Sequence, residues 1–216
     1  MSLEQAFDIN QAILARGGDV QLLLDCSYLG FRDPEHEERI LSVFTAPHFL
    51  AHSYSKNFGL YSRRTGALLL YGFTDSQIKI ARENAENIIR AMNSSPPVDG
   101  AFIASKVLCD DEKFEAWKAE MSEWRNRILS LRMAFAESFQ EPVRSLIISQ
   151  HGLFGFIPTE LLRKQFSNNK AAQESLIERH AFYAVQLPQG LRISIPGLRT
   201  PEIARLCGKY VADCVA

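Results

Sequence analysis

Phe114, Trp117, Met121, Trp124, Ile128, Leu131 and Phe135 recur at alternating steps of three and four. That spacing draws a single apolar stripe along one amphipathic helix. A helix of that length suits a spine joining two domains better than a piece of one small core. The 216 residues are therefore read as two regions, one on the amino-terminal side of the stripe and one on its carboxyl-terminal side.

In the first region, residues 3 to 16 place Leu3, Ala6, Phe7, Ile9, Ile13 and Leu14 at helical spacing, and Gly17-Gly18 supplies the stop. "VQLLLD" at 20 to 25 is a continuous apolar run ending in an acid, which reads as a strand buried on both faces of a parallel sheet. "HFLAHSYS" at 48 to 55 and "GALLLYGF" at 66 to 73 read as two further strands, and residues 75 to 92 as a helix that "NSSPPVDG" terminates. Strands alternating with helices predict an α/β layer. In open α/β sheets ligands bind beyond the carboxyl ends of the strands. Asp25 and Lys56 both fall at such ends.

After the stripe, "SLIIS", "FGFIP", "FYAVQL" and "RISIPG" read as short strands and residues 158–167 and 201–215 as helices, giving a small α+β domain. The net charge of -1, with both signs interspersed, gives no electrostatic reason to expect a nucleic-acid or anionic-membrane partner. No apolar run approaches the length of a membrane span, and "MSLEQAFDIN" lacks the basic flank and apolar core of a signal peptide. Cys26, Cys109, Cys207 and Cys214 form no CxxC pair, so reduced thiols and a cytoplasmic location are expected. His48 and His52 stand four apart, but on a strand with no third ligand nearby. They are read as core histidines, and no metal site is expected. Trp117, Met121 and Trp124 are read as packing.

The chemistry lies in one constellation: Lys56 past one strand, Asp25 ending another, Tyr28 three residues after Asp25, and Arg64 eight after Lys56. A lysine amine can hold an aldehyde as a Schiff base, a carboxylate can keep a pyridine nitrogen protonated, and an arginine can grip a phosphate. Together these requirements describe pyridoxal phosphate.

"SYSKNFGLYSRRTGA" at 53 to 67 resembles the cofactor-lysine motif of the fold type I pyridoxal-phosphate-dependent aminotransferases, in particular the aspartate/aromatic aminotransferase group. "DCSYLGF" is similar to that group's Asp-x-Ala-Tyr-x-Gly-Phe segment, and "RAMNSSPPVDGA", "HGLFGF" and "RISIPGL" resemble later motifs in the same order. The resemblance implies that Lys56 forms the Schiff base and shuttles the proton during transamination. Asp25 pairs with the ring nitrogen, Tyr28 donates to the phenolic oxygen, and Ser53 and Arg64 hold the phosphate. Arg192 clamps the substrate α-carboxylate, and Arg90 reaches a distal carboxylate across a homodimer. Those roles imply aspartate, glutamate and their 2-oxo acids as substrates, with aromatic amino acids as the alternative.

The fold class implied is α/β: the carboxyl-terminal half of an aspartate aminotransferase-like large domain, residues 1–123, joined by the long helix to a small α+β domain, residues 124–216. The family's amino-terminal half, with its phosphate loop and ring-stacking aromatic, has no counterpart in these residues. A sheet lacking those strands is expected to expose apolar faces and edges. Two readings are open: a chain belonging to a working transaminase, or a non-catalytic half that folds or self-associates and needs the other half for activity.

Overall fold

A computed structural model of the chain describes residues 1–162, 166 and 168–215. It divides into two units, Met1–Met121 and Ser122–Ala216.

The first unit opens with α1 (Leu3–Arg16), fixed at its start by a reciprocal pair of bonds. The Ser2 hydroxyl accepts from the Gln5 amide, and the Gln5 side chain accepts from the Ser2 amide. Gly17, at a φ of 60°, ends it. Strand β1 (Leu22–Cys26), helix α2 (Pro34–Ser42) and strand β2 (His48–Ser53) then form a parallel β-α-β unit in which Asp25 lies opposite Ala51. Next come the single turn α3 (Tyr54–Asn57) and β3 (Gly66–Tyr71), which runs antiparallel to β2. The sheet order is β1-β2-β3. Helices α4 (Asp75–Asn93) and α5 (Asp99–Leu108) come after β3, and α6 (Asp111–Ala136) begins in this unit.

Ala6, Ile40 and Phe44 form the buried centre of this unit, with Leu3, Leu22, Leu24 and Val43 packed on it. The expected burial of β1 on both faces is not found. Its side chains alternate, and Leu23 is 59% exposed. The physical reason is that side chains alternate between the two faces of a strand and only the face carrying Leu22 and Leu24 meets the cluster, which leaves Leu23 on the other face in solvent. Phe7, Ile9 and Leu14 of the α1 stripe are likewise exposed, whereas Ala6 and Ile13 are buried.

In the second unit, the end of α6 leads into α7 (Val143–Ser149), β4 (Phe154–Pro158), α8 (Asn169–His180), β5 (Val185–Leu187), β6 (Gly190–Ser194) and α9 (Pro201–Ala212). The strands form an antiparallel sheet in the order β4-β6-β5. Phe135, Ile147, Ile157, Leu176, Leu191 and Val211 are essentially fully buried. "SLIIS" is helical, contrary to the sequence expectation. Val143 and Ile147, four apart, are buried together, and Gln150 at the helix end holds both the amide and the carbonyl of Phe156 at 2.7 Å. The expected helix at 158–167 is a short 3-10 turn at Thr159–Leu161, and residues 163–165 and 167 lie outside the described residues. Helix α8 has no counterpart among the sequence expectations. Its apolar face is narrow, with Ala172 and Leu176 buried beside the polar Gln173, and the Asn168 side chain caps it by accepting from the Ala171 amide.

Candidate active site

Because β1 and β2 are parallel, the turns that leave them emerge at the same end of the sheet. Residues 54 and 55, expected to continue β2, have already turned into α3. The Ser53 hydroxyl caps that turn by accepting from the Ser55 amide at 3.2 Å, and the Tyr54 amide donates to the Thr65 carbonyl at 3.1 Å. Lys56 is thereby carried on a short helical turn, half-buried, with its Nζ 5.1 Å from the centre of the Tyr28 ring and 5.8 Å from that of Tyr61. Among the described residues no carboxylate forms an ion pair with it.

Asp25 is exposed and accepts from both the hydroxyl and the amide of Ser27. Those two bonds, with a smaller contribution from the positive charge of Lys56, hold its carboxyl below the usual range against a slight opposing effect of burial. Asp25 is therefore ionised at neutral pH. Burial, together with the charges of Asp25 and Glu37, pushes the neighbouring Cys26 thiol up to about 11.

Arg64 is in the left-handed region, at φ 52° and ψ 52°, and its guanidinium donates to the Tyr61 carbonyl at 3.0 Å. A non-glycine residue held there carries strain, and such residues cluster at ligand-binding turns. On one side Arg63 pairs with Asp99 at 2.6 Å. On the other, Thr65 is buried against Gly100 at the start of α5.

The structure thus brings Asp25, Tyr28, Ser53, Lys56 and Arg64 to the carboxyl end of one sheet or the turns leaving it. Arg90 lies exposed in the last turn of α4. Arg192 is on β6 in the second unit, with its guanidinium carbon 4.5 Å from the centre of the Phe154 ring. Its Nε is buried and has no hydrogen-bond partner among the described residues. Such a nitrogen suits an anion that completes its bonding.

Two groups beside the lysine are absent from the sequence-derived set. Trp117, whose spacing reads as packing, stacks on Phe58 at 5.0 Å and donates its indole N–H to the Asn57 carbonyl at 2.9 Å. His52 sits with its Nε2 3.1 Å from the Asn57 amide nitrogen. The periodic stripe contains Trp117 but does not indicate what its polar edge meets. His48, by contrast, is a buried histidine with Nδ1 2.8 Å from the Ala46 carbonyl and its ring stacked on Tyr71. Among the described residues no three potential metal ligands cluster, and no helix is long and apolar enough to cross a membrane.

Residues 9–209 match the family model for aminotransferases of class I and II. Aspartate aminotransferase of Escherichia coli K12 is 33% identical over 198 residues, covering 88% of this chain and 47% of that enzyme. Tyrosine aminotransferase of Rhizobium meliloti is 29% identical over 219 residues, covering 98% of this chain and 52% of that enzyme. Among solved structures, an aromatic-amino-acid aminotransferase from Burkholderia pseudomallei, covalently bound to pyridoxal phosphate, superposes with a TM-score of 0.81 at 26% identity. The superposition covers 99% of this chain and 52% of that one. The chain spans about half the length of the curated relatives it matches.

Proposed function

Since the chain belongs to the class I and II aminotransferases, we propose that it carries the lysine-bearing part of a pyridoxal-phosphate-dependent transaminase. Its substrates are an amino acid and a 2-oxo acid. The observation that carries this reading is the grouping at the end of the first sheet: Lys56 against Tyr28, with an ionised Asp25 on the adjoining strand.

The residues present fit the cofactor. Asp25 is a fixed negative charge able to hold a protonated pyridine nitrogen. The Ser53 hydroxyl accepts from the Ser55 amide and retains its own proton for a phosphate oxygen. Arg64 spends one nitrogen on the Tyr61 carbonyl, and its remaining N–H groups can fork onto the same phosphate. Bound there, pyridoxal phosphate supplies an aldehyde and an electron-withdrawing ring that acidifies the Cα hydrogen of an amino acid. Lys56 supplies the amine that meets that aldehyde, and its Nζ takes and returns the proton. Tyr28 donates its hydroxyl to the ring oxygen. In the second unit, Arg192 pairs with a substrate α-carboxylate, a role supported by its unpartnered Nε.

Arg90 is assigned the distal carboxylate of aspartate or glutamate across a homodimer, on the strength of its position before "AMNSSPP". The relatives include both an aspartate and a tyrosine aminotransferase, so aromatic amino acids are the second substrate class. A cytoplasmic location is the reading that the cysteine spacing in the sequence favours.

The exposed apolar residues of the first unit, Leu23, Leu68, Ile80 and Ile88 among them, favour a second reading in which the chain works only when these faces are covered. One experiment addresses both. The purified chain is titrated with pyridoxal phosphate, reduced with borohydride and mapped by peptide mass. A single adduct on Lys56 is expected, and Lys56→Ala should abolish it together with any transamination of aspartate. Labelling spread over exposed lysines would sink the first reading for this chain by itself.

A further inference from the structure

The residue after the lysine is buried, 7% exposed, and is polar on both its side chain and its backbone. The Asn57 amide nitrogen donates to the Leu29 carbonyl at 3.3 Å and lies 3.1 Å from His52 Nε2. Its backbone carbonyl accepts from the Trp117 indole at 2.9 Å. One residue therefore links three segments: the turn after β1, the end of β2 and the first part of α6.

The turn it reaches holds Tyr28. Leu29, the next residue, donates its amide to the Cys26 carbonyl at 3.2 Å. The Gly30 amide meets both oxygens of Glu37, at 3.1 and 2.8 Å, and the Arg32 amide meets one of them at 3.3 Å. Those bonds tie the turn to β1 and α2. The bond from Asn57 ties it to the segment that carries Lys56. Close approach is built in as well. Gly30 is at a φ of 94°, and a Cβ there would lie 3.3 Å from Met121 Cε and 3.9 Å from Asn57 Cβ.

We propose that Asn57 is a positioning residue, fixing Lys56 Nζ against the Tyr28 ring by bonding the two turns to each other. The ammonium-ring contact at 5.1 Å is weak and half in solvent, and cannot by itself register two side chains rooted in different turns. The Asn57 bonds lie in the interior, where a hydrogen bond is stronger and its loss leaves an unpaired carbonyl. The bond to His52 requires a neutral imidazole with its lone pair on Nε2. Burial, which disfavours the charged ring, supports that state. The proposal's consequence for catalysis rests on the reading of Lys56 and Tyr28 as cofactor residues, but its geometric content does not.

The test reads that geometry directly. The methylene protons next to Lys56 Nζ should be shifted upfield by the Tyr28 ring; the difference between the unmutated chain and Tyr28→Leu isolates that ring's shift from any due to Tyr61, whose ring centre is 5.8 Å from Nζ. In Asn57→Ala, and in Asn57→Asp, which keeps the shape but loses the donor, more than half of that shift should vanish while the β2–β3 amide resonances stay in place. Selective pyridoxal phosphate labelling of Lys56 should weaken with it. Retention of the shift in a folded variant overturns the proposal. Unfolding of both variants also overturns it, since Asn57 would then serve the fold rather than the lysine. If the shift is lost while the unmutated chain shows no selective Lys56 labelling, Asn57 positions Lys56 as proposed and it is the cofactor reading that fails.

Discussion

Replacing Gly100 with alanine should disturb the Arg64 turn from outside it. A Cβ at position 100 would stand 1.9 Å from Thr65 Oγ1 and 3.0 Å from both Arg63 Cβ and Thr65 Cβ. The first distance is about 1.5 Å short of the 3.4 Å at which ordinary contact begins. Rotating the Thr65 side chain can remove that overlap. It gives up the Thr65 hydroxyl's bond to the Arg63 carbonyl at 3.2 Å, a loss of about 1 kcal/mol. The two remaining carbons must still yield by a few tenths of an ångström, so the cost of overpacking is about 1–3 kcal/mol. Against this, alanine gains up to about 1 kcal/mol over glycine inside a helix. Gly100 is the second residue of α5, where that gain is smaller.

The combined cost, about 2–4 kcal/mol, therefore wins by about 1–4 kcal/mol, equivalent to a fall in melting temperature of about 2–16 °C for a chain of this size. Thermal unfolding followed by circular dichroism measures it. Thr65→Ala removes the atom at 1.9 Å, so the double variant should recover at least about 1 kcal/mol relative to additivity. A Gly100→Ala protein as stable as the unmutated chain, or more so, would refute the reasoning. If Arg64 grips the cofactor phosphate, Gly100→Ala should also lower the labelling of Lys56.

Three further outcomes are expected. With its pKa raised to about 11 from an ordinary 9.0, Cys26 carries about a hundredfold less thiolate at pH 8. Iodoacetamide should therefore modify the exposed Cys109 well before it, and equal rates would contradict the assignment. Ser27→Ala removes the largest cause of the lowered Asp25 pKa, so its carboxyl should titrate higher by NMR. A depressed carboxyl stabilises the fold above its unfolded pKa and loses that contribution as pH falls through its folded value; the Ser27→Ala protein should lose it at a higher pH, and an unmoved Asp25 titration would argue against the bond. Leu23→Lys puts a charge into an exposed apolar position of an edge strand and should reduce self-association in sedimentation velocity. An unchanged sedimentation profile would remove Leu23 from any association surface.

The sheet end is legible in the sequence because its signals are local. An apolar run closing on Asp25, another closing just before Lys56, and turn-forming residues after each suffice to place both groups. The cap at Ser53 that turns the chain early is implicit in the serine-rich approach to the lysine. Harder to read is anything decided by a partner distant in sequence. "SLIIS" has strand propensity, yet Gln150 spends both side-chain groups on Phe156 and Val143 pairs with Ile147 in burial, so tertiary bonding overrides propensity. Helix α8 shows little apolar periodicity because it buries Asn169 and Gln173 beside Ala172 and Leu176. Trp117 is legible as one position of a stripe, but its bond spans 60 residues to Asn57, and no local pattern encodes that.

The burial expected for β1 differs from these, because there the sequence asks for more than the structure supplies. "VQLLLD" is written for a strand with apolar material on both faces, and β1 meets the cluster around Ile40 and Phe44 on one face only. The same excess recurs elsewhere in the first unit. Ile80 and Ile88 of α4 are 59% and 57% exposed, and Leu68 of β3 is 52% exposed. Scattered apolar residues on a surface need no explanation, but these sit on an edge strand, the opposite edge strand and the next helix in the chain. Lys56, Tyr28 and Asp25 are held from within by Asn57, Ser27 and the β1–β2 pairing. Their geometry therefore does not wait on those faces being covered, and a covering surface would act on the stability of the sheet rather than on the arrangement of these three groups.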